Sequence, residues 1–271
     1  MSKIKDFISR FGFNTTPFTC EIRVDEHFKL EFSRESLIHL ERAVSKRMSA
    51  ALIAPSGTGK SSLLRALIAR LPENRFRISY IKVTDLSKRD LCREIATAAG
   101  AETAGTYPAL VRRLQERFTN GLDIDGIRPV LILDEAHDIR PDVLGVLRIL
   151  TNFDMDSRLV VSIIMAGQPL LSKLLNHPKL EDVSRRLAHR AALRLLSQTE
   201  LTSYIQHRCQ IAGVSSSPFD SDAIEAIFEV VRGNMRATDH LALKSFEVAH
   251  DADCNVVDSN HVIEARRMLW G

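Results

Sequence analysis

The sequence has 271 residues, of which 45% are hydrophobic and 26% charged, a balance that excludes a disordered chain and leaves room for a sizeable core. Its net charge of +3 is unevenly spread: residues 199–271 hold six Lys and Arg against eleven Asp and Glu, and residues 1–198 hold the other 31 against 23. A basic first part suits a surface that faces a polyanion, although ordinary solvated faces give the same numbers.

In chain order, Met1–Arg10 alternates charged and apolar residues and lacks the apolar stretch of a signal peptide. A short apolar run, Ala51–Ala54, reads as the first strand, followed by a Gly-rich turn and a helix over Ser61–Leu71. A second strand is expected at Ile78–Val83. The helix Ser87–Ala99 opens on a Ser cap with Asp90 three residues on, close to a capping box. Tyr107–Phe118 carries a helical stripe of Leu110, Val111, Leu114 and Phe118. The run Pro129–Asp134 is a continuous apolar strand of the kind that a sheet covers on both faces. Pro141 starts a helix over Asp142–Leu150. Strands follow at Leu159–Ala166 and Ala191–Leu195, and then strands cease. Helices are expected at Thr199–Ala212, Ser221–Val231, Arg236–Ala249 and Ser259–Leu269. The pattern predicts an α/β fold with a five-stranded parallel sheet flanked by helices, divided into residues 1–198 and a small helical domain over 199–271.

No apolar stretch approaches the roughly 20 residues of a membrane-spanning helix, and Leu159–Gly167 is the longest. The four cysteines, Cys20, Cys92, Cys209 and Cys254, form no CxxC pair, so neither a zinc knuckle nor a disulfide framework is expected. The expectation is a cytoplasmic chain with no membrane partner.

The strongest chemical signal is Ala54-Pro55-Ser56-Gly57-Thr58-Gly59-Lys60-Ser61. It fits the phosphate-binding pattern G-x-x-x-x-G-K-[ST] except at its first position, where Pro55 already keeps Ala54 extended. In such a loop Gly57 and Gly59 let backbone amides close around phosphate oxygens, with Pro55, Ser56, Thr58 and Ser62 completing the wrap. Lys60 reaches the β- and γ-phosphates of ATP, and the Ser61 hydroxyl ligates Mg²⁺. The second signal is Val130-Leu131-Ile132-Leu133-Asp134-Glu135. It places two carboxylates at the carboxyl end of a buried strand, where open α/β sheets bind ligands. Asp134 would complete the Mg²⁺ shell, and Glu135 would deprotonate the attacking water.

The continuation Ala136-His137 spells DEAH, but a helicase of that type needs two RecA-like lobes. Three further positions suit a different architecture. Gln168, after the fourth strand, either senses the γ-phosphate or caps a helix from Pro169. Arg185, Arg186 and Arg190 precede the last strand; one of them, Arg186 by preference because Leu187 follows, would act as an arginine finger on a neighbouring subunit. Arg236 opens a helix after Gly233 and suits a second phosphate sensor. His137 and His207 either tune the site or pack. Trp270 and the Phe11–Phe18 cluster are expected to pack or to mediate subunit contacts.

Together these residues resemble the ExeA/TniB-like branch of AAA+ ATPases, near the origin-recognition type of domain. Phe11-Gly12-Phe13 with Pro17-Phe18, the phosphate loop, Asp134-Glu135-Ala136-His137 and Gly167-Gln168-Pro169 carry the resemblance. So do Tyr204-Ile205, His207-Arg208, Ala212-Gly213 and Gly233-x-x-Arg236. The resemblance implies an AAA+ P-loop core with a helical lid. It also implies ATP and Mg²⁺ as cofactors and assembly with other copies into a hexameric ring or a helical filament. The branch serves secretion or transposition. Its secretion members carry a transmembrane segment and a periplasmic part beyond this domain, and the sequence stops at Gly271 with neither, which favours similarity to the transposition ATPases TniB, TnsC and the Mu-type target selectors. That role implies duplex DNA, weakly sequence-specific, and a transposase as partners. Lys82, Lys88, Arg89, Arg112 and Arg113 are the candidate phosphate contacts, with helix-surface charges as the plainer alternative.

Overall fold

The structure, a computed structural model, describes residues 4–155 and 157–271. It opens with α1 (Ile4–Phe11), α2 (Glu31–Ser45), β1 (Ser49–Ile53), α3 (Lys60–Arg70), β2 (Phe76–Lys82), α4 (Lys88–Ala99), α5 (Tyr107–Asp123) and β3 (Arg128–Asp134). Next come α6 (Pro141–Leu144), α7 (Val146–Thr151), β4 (Ser162–Gly167), α8 (Leu170–Leu175), α9 (Glu181–Arg185) and β5 (Leu187–Ala192). The chain ends with α10 (Gln198–Ile211), α11 (Ser221–Val231), α12 (Met235–Asp251) and α13 (Ser259–Trp270). Two compact units result. One holds residues 30–55 and 60–193; the other holds the chain up to Lys29, Ser56–Gly59 and Arg194–Gly271.

The first unit is a parallel sheet in the order β2-β3-β4-β1-β5. Alternation along β3 divides the core. Leu131 and Leu133 join Ile163 and Met165 of β4 under α4, α5 and α7, whose buried stripe includes Leu91, Ile95, Leu110, Leu114 and Leu147. Val130 and Ile132 face the other way with Ile164, Ala50 and Leu52, against Leu37, Leu40 and Val44 of α2 and Leu64 and Leu67 of α3. Both faces are covered, which is why β3 and β4 read as unbroken apolar runs.

Two strand expectations shift. The fourth strand begins at Ser162 rather than Leu159, because Val160 and Val161 are buried but make no ladder. The fifth spans Leu187–Ala192 rather than Ala191–Leu195. It is an edge strand paired only with β1, and only Ala191 of its six residues is fully buried, so no apolar run marks it. Helix α2 is an element beyond those expected, although Leu37, Leu40, Ala43 and Val44 recur at helical spacing and are buried.

The second unit closes around Phe246 of α12. Phe11, Phe13 and Phe219 stand 4.9, 5.1 and 4.6 Å from it, centroid to centroid, at tilted or edge-on angles that suit aromatic quadrupoles. The N-terminal segment is also held by polar contacts. Arg208, 2% exposed, donates to the Thr19 carbonyl at 2.6 Å, and the His207 ring meets the Glu26 carbonyl at 2.7 Å. Tyr204 donates to Asp239 at 2.7 Å, with Arg208 3.5 Å from the same carboxylate. Phe11, Phe13 and Phe18 are therefore core residues, whereas Trp270 is 49% exposed. The four cysteines are free thiols. Among the described residues no helix is long and apolar enough to cross a membrane.

Candidate functional site

In the sheet unit, β1 runs into the Gly-rich loop, and β3 lies two places from β1 in the sheet order, across β4. Ala54, at the loop's first position, is fully buried and donates its N–H to the Gly167 carbonyl at the end of β4. Lys60 opens α3 and is buried, and its ammonium binds Asp134 and, at 2.8 Å, Glu135. The Asp134 side chain is 4% exposed and that of Glu135 is 26% exposed. Asp134 also accepts from the Tyr80 hydroxyl at 2.8 Å and from the Glu135 backbone N–H at 2.9 Å. Burial and the two neighbouring carboxylates push the Tyr80 hydroxyl well above its ordinary pKa, so it stays a donor at neutral pH.

Glu135 itself has φ +56°, in the left-handed region that a non-glycine residue enters at a cost of about 1–2 kcal/mol. The turn breaks β3 at Asp134 and sets two successive carboxylates on one cation. His137 follows, its side chain 7% exposed, with Nδ1 3.4 Å from Glu135 and accepting the Gln168 N–H at 3.3 Å. Lys60, Asp134 and Glu135 are thus brought together, and Gln168 is linked to them through His137. Ser61 is exposed and Ser62 half-buried on the first turn of α3.

Arg186 is not in this cluster. It precedes β5 at the amino ends of the strands, opposite the carboxylates, and lines a cavity of about 440 Å³ with Gln115, Arg148, Ile149, Asn152 and Asp182. Its neighbours in sequence are engaged: Arg185 binds Glu181 at 2.5 Å, and Arg190 binds Asn176 and Ser184. Of the basic candidates, Arg89 and Arg113 converge on one loop, donating to the carbonyls of Gly105 and Ala104, and Arg113 also meets Glu102 at 3.2 Å. Lys88 lies 4.0 Å from Asp142, while Lys82 and Arg112 are exposed.

In the helical unit, Gly57 and Gly59 have φ of +76° and +88°, a conformation that glycine adopts without strain. A Cβ on Gly57 would collide with Asn234. Asn234 donates from Nδ2 to the Ser56 carbonyl at 2.8 Å and accepts the Ala237 N–H on Oδ1 at 3.0 Å, capping α12. The Arg236 N–H reaches the Gly57 carbonyl at 3.2 Å, and its side chain is exposed. Sequence reasoning missed Asn234 and Tyr80. An Asn just before a helix was a visible capping signal; nothing local marked Tyr80.

Residues 42–175 match the family model of the AAA domain. The matched stretch is just under half of the chain, and its fold is the α/β P-loop fold of such domains. The chain is similar to the general secretion pathway protein A of Aeromonas hydrophila, 28% identical over 228 residues, which are 82% of this chain and 41% of that protein. The chain therefore spans about two fifths of that relative's length. Among solved structures it is similar to Cdc6p of Pyrobaculum aerophilum, with a TM-score of 0.72, 17% identity and coverage of 94% of this chain and 71% of that one. It is also similar to the Orc1 protein of Aeropyrum pernix solved in complex with DNA, with a TM-score of 0.66, 19% identity and coverage of 90% and 67%. At these identities the likeness is one of fold, and it agrees with the five-stranded parallel sheet.

The donor set of the AAA domain fits a nucleotide with Mg²⁺. In the sheet unit Lys60 offers a desolvated cation, and Ser61 and Asp134 are hard oxygen donors of the kind Mg²⁺ takes.

Proposed function

We propose that the chain hydrolyses ATP with Mg²⁺, assembles with further copies of itself into a ring or filament on duplex DNA, and serves a transposase as its regulatory partner. The observation that carries the hydrolytic part is the buried meeting of Lys60 with Asp134 and Glu135. In this reading Pro55, Ser56, Gly57, Thr58, Gly59, Lys60, Ser61 and Ser62 hold the phosphates. Ser61 and Asp134 would hold Mg²⁺, which would supply charge neutralisation to the phosphates. Glu135 takes a proton from the attacking water, and its left-handed backbone aims the carboxylate off the strand end. Gln168 and Arg236 respond to the γ-phosphate. Arg186, remote from its own chain's carboxylates, serves the site of another copy. Residues 1–198 work as the nucleotide core and 199–271 as its lid.

The DNA part is supported by the excess of basic residues over 1–198 and by the convergence of Arg89 and Arg113, with Lys82, Lys88 and Arg112 on the same two elements or the strand before them. A second reading, an envelope-assembly or secretion ATPase acting on protein partners, is favoured by the 28% identity to general secretion pathway protein A. Two measurements decide. Glu135→Gln is expected to lower phosphate release at least about 100-fold while ATP still binds; normal turnover overturns the assignment of the base. ATP-dependent binding to plain duplex DNA that falls steeply with added salt supports the DNA role. No binding at any salt concentration supports the secretion role.

A further inference from the structure

The His137 side chain, 7% exposed, touches both strand ends of the cluster and has no role in the reading above. Its Nδ1 accepts the backbone N–H of Gln168 at 3.3 Å. The same nitrogen stands 3.4 Å from Glu135 Oε2, while Glu135 Oε1 is the atom bound by Lys60. On the far side of the ring Nε2 faces Asp138 at 3.6 Å. The fit is close: a Cβ on Gly167 would lie 3.2 Å from both the backbone N and Nδ1 of His137.

A neutral imidazole carries one proton, so an Nδ1 that accepts leaves the proton on Nε2. We infer that His137 is a positioning residue, held by the Gln168 amide in the Nε2–H tautomer so that its ring packs against Glu135 Oε2 without donating to it. This rests on the reading of Glu135 as the base. The opposite tautomer would do two kinds of harm at once. It would leave the part-buried Gln168 N–H without its His137 acceptor, and it would place a donor on the oxygen that has to accept the water's proton. Fixing the Gln168 amide also fixes where its side chain starts, so the end of β4 and the base at the end of β3 keep one relative geometry. The ring does no chemistry; it passes the position of one strand end to the other.

The stereochemistry gives a sharp test. Asn places Oδ1 where His has Nδ1; Gln places its carbonyl near the position of Nε2; Ala places nothing. His137→Asn is expected to keep kcat within about threefold, whereas His137→Gln and His137→Ala lose about ten- to hundredfold in kcat, with the KM for ATP little changed in all three. A readout without nucleotide accompanies this. In the full chain labelled with ¹⁵N, the His137 Nδ1 resonance is expected at the position of a ring nitrogen that carries no hydrogen, and Nε2 at that of an N–H nitrogen. The Gln168 amide proton is expected to keep its downfield shift in the Asn variant and lose it in the Gln and Ala variants. A protonated Nδ1, wild-type kcat in His137→Ala, or equal loss in all three variants with unchanged melting temperatures overturns the inference. Should Glu135→Gln hydrolyse ATP normally, the base assignment fails instead, and the tautomer measurement still reports on His137.

Discussion

Lys60→Met probes the electrostatics of the cluster without nucleotide. Methionine keeps most of the stem and removes the charge. The ammonium lies in a pocket where its own side chain is 8% exposed and that of Asp134 is 4% exposed. What remains is two carboxylates on consecutive residues, the buried one supported by the Tyr80 hydroxyl and the Glu135 N–H. Removing one partner of a buried ion pair costs about 3–5 kcal/mol, because the other charge is left desolvated. The two surviving hydrogen bonds and the partial exposure of Glu135 place this variant near the lower end, about 3 kcal/mol. For a chain of this size each kcal/mol moves the melting temperature about 2–4 °C, so calorimetry is expected to show a drop of roughly 6–12 °C. Lys60→Met combined with Asp134→Asn is expected to regain about half of that loss, since the buried negative charge is gone while its acceptor oxygen stays. A single variant within about 0.5 kcal/mol of wild type, or a double variant less stable than the single, would refute the picture of a desolvated ion pair.

Gly57→Ala puts a methyl group on a residue at φ +76° and into Asn234, so ATP affinity measured by fluorescent-nucleotide titration is expected to fall at least about tenfold; unchanged affinity would show that the loop relaxes freely. Arg186→Ala is expected to abolish turnover while leaving ATP binding intact, and mixing it with Lys60→Ala protein is expected to restore part of the turnover; no recovery counts against action on another copy. Stability against pH has two opposed contributions in the helical unit. Burial pushes the Asp239 carboxyl up to about 6, with Arg208 and Tyr204 partly offsetting it, so stability falls as pH rises from about 4 to about 6, and Asp239→Asn flattens that fall. The paired hydrogen bonds from Arg194 hold Glu200 down at about 2, so its contribution is present above about 4.5 and is lost as pH falls towards 2, a loss that Glu200→Gln removes. Urea midpoints between about pH 3 and 7 check both, and identical pH dependence in all three proteins would refute them.

The parts legible in the sequence share a physical cause, which is that their signals are local. Lys60, Asp134 and Glu135 stand in short motifs whose residue types follow from phosphate and metal chemistry, and β3 is marked because both its faces are buried. The parts that were not legible depend on partners far along the chain. Tyr80 meets Asp134 across 54 residues, the His137 ring meets the Gln168 amide across 31, and Asn234 meets Ser56 across 178. No window of sequence contains both ends of such a contact. Edge strand β5 escaped for a different reason: half-buried residues such as Leu187, Ala188 and His189 leave no periodic signature, and pairing with β1 alone supplies the strand. The left-handed backbone of Glu135 is likewise imposed by its surroundings, since nothing about glutamate favours it.

Asn234 shows how such a distant contact joins two jobs that motifs describe separately. Its Oδ1 caps α12 and its Nδ2 holds the Ser56 carbonyl, so one amide plane fixes both the start of a helix and the course of a phosphate loop. The Arg236 N–H adds a second tie, to the Gly57 carbonyl. Helix α12 therefore cannot tilt at its first turn without dragging Ser56 and Gly57. A side chain cannot rotate its two ends independently, and an Asn at this position, unlike the Asp that would cap the helix equally well, presents a donor and an acceptor on two separate atoms. The coupling between loop and helix is thus a property of the residue type as much as of the place it occupies.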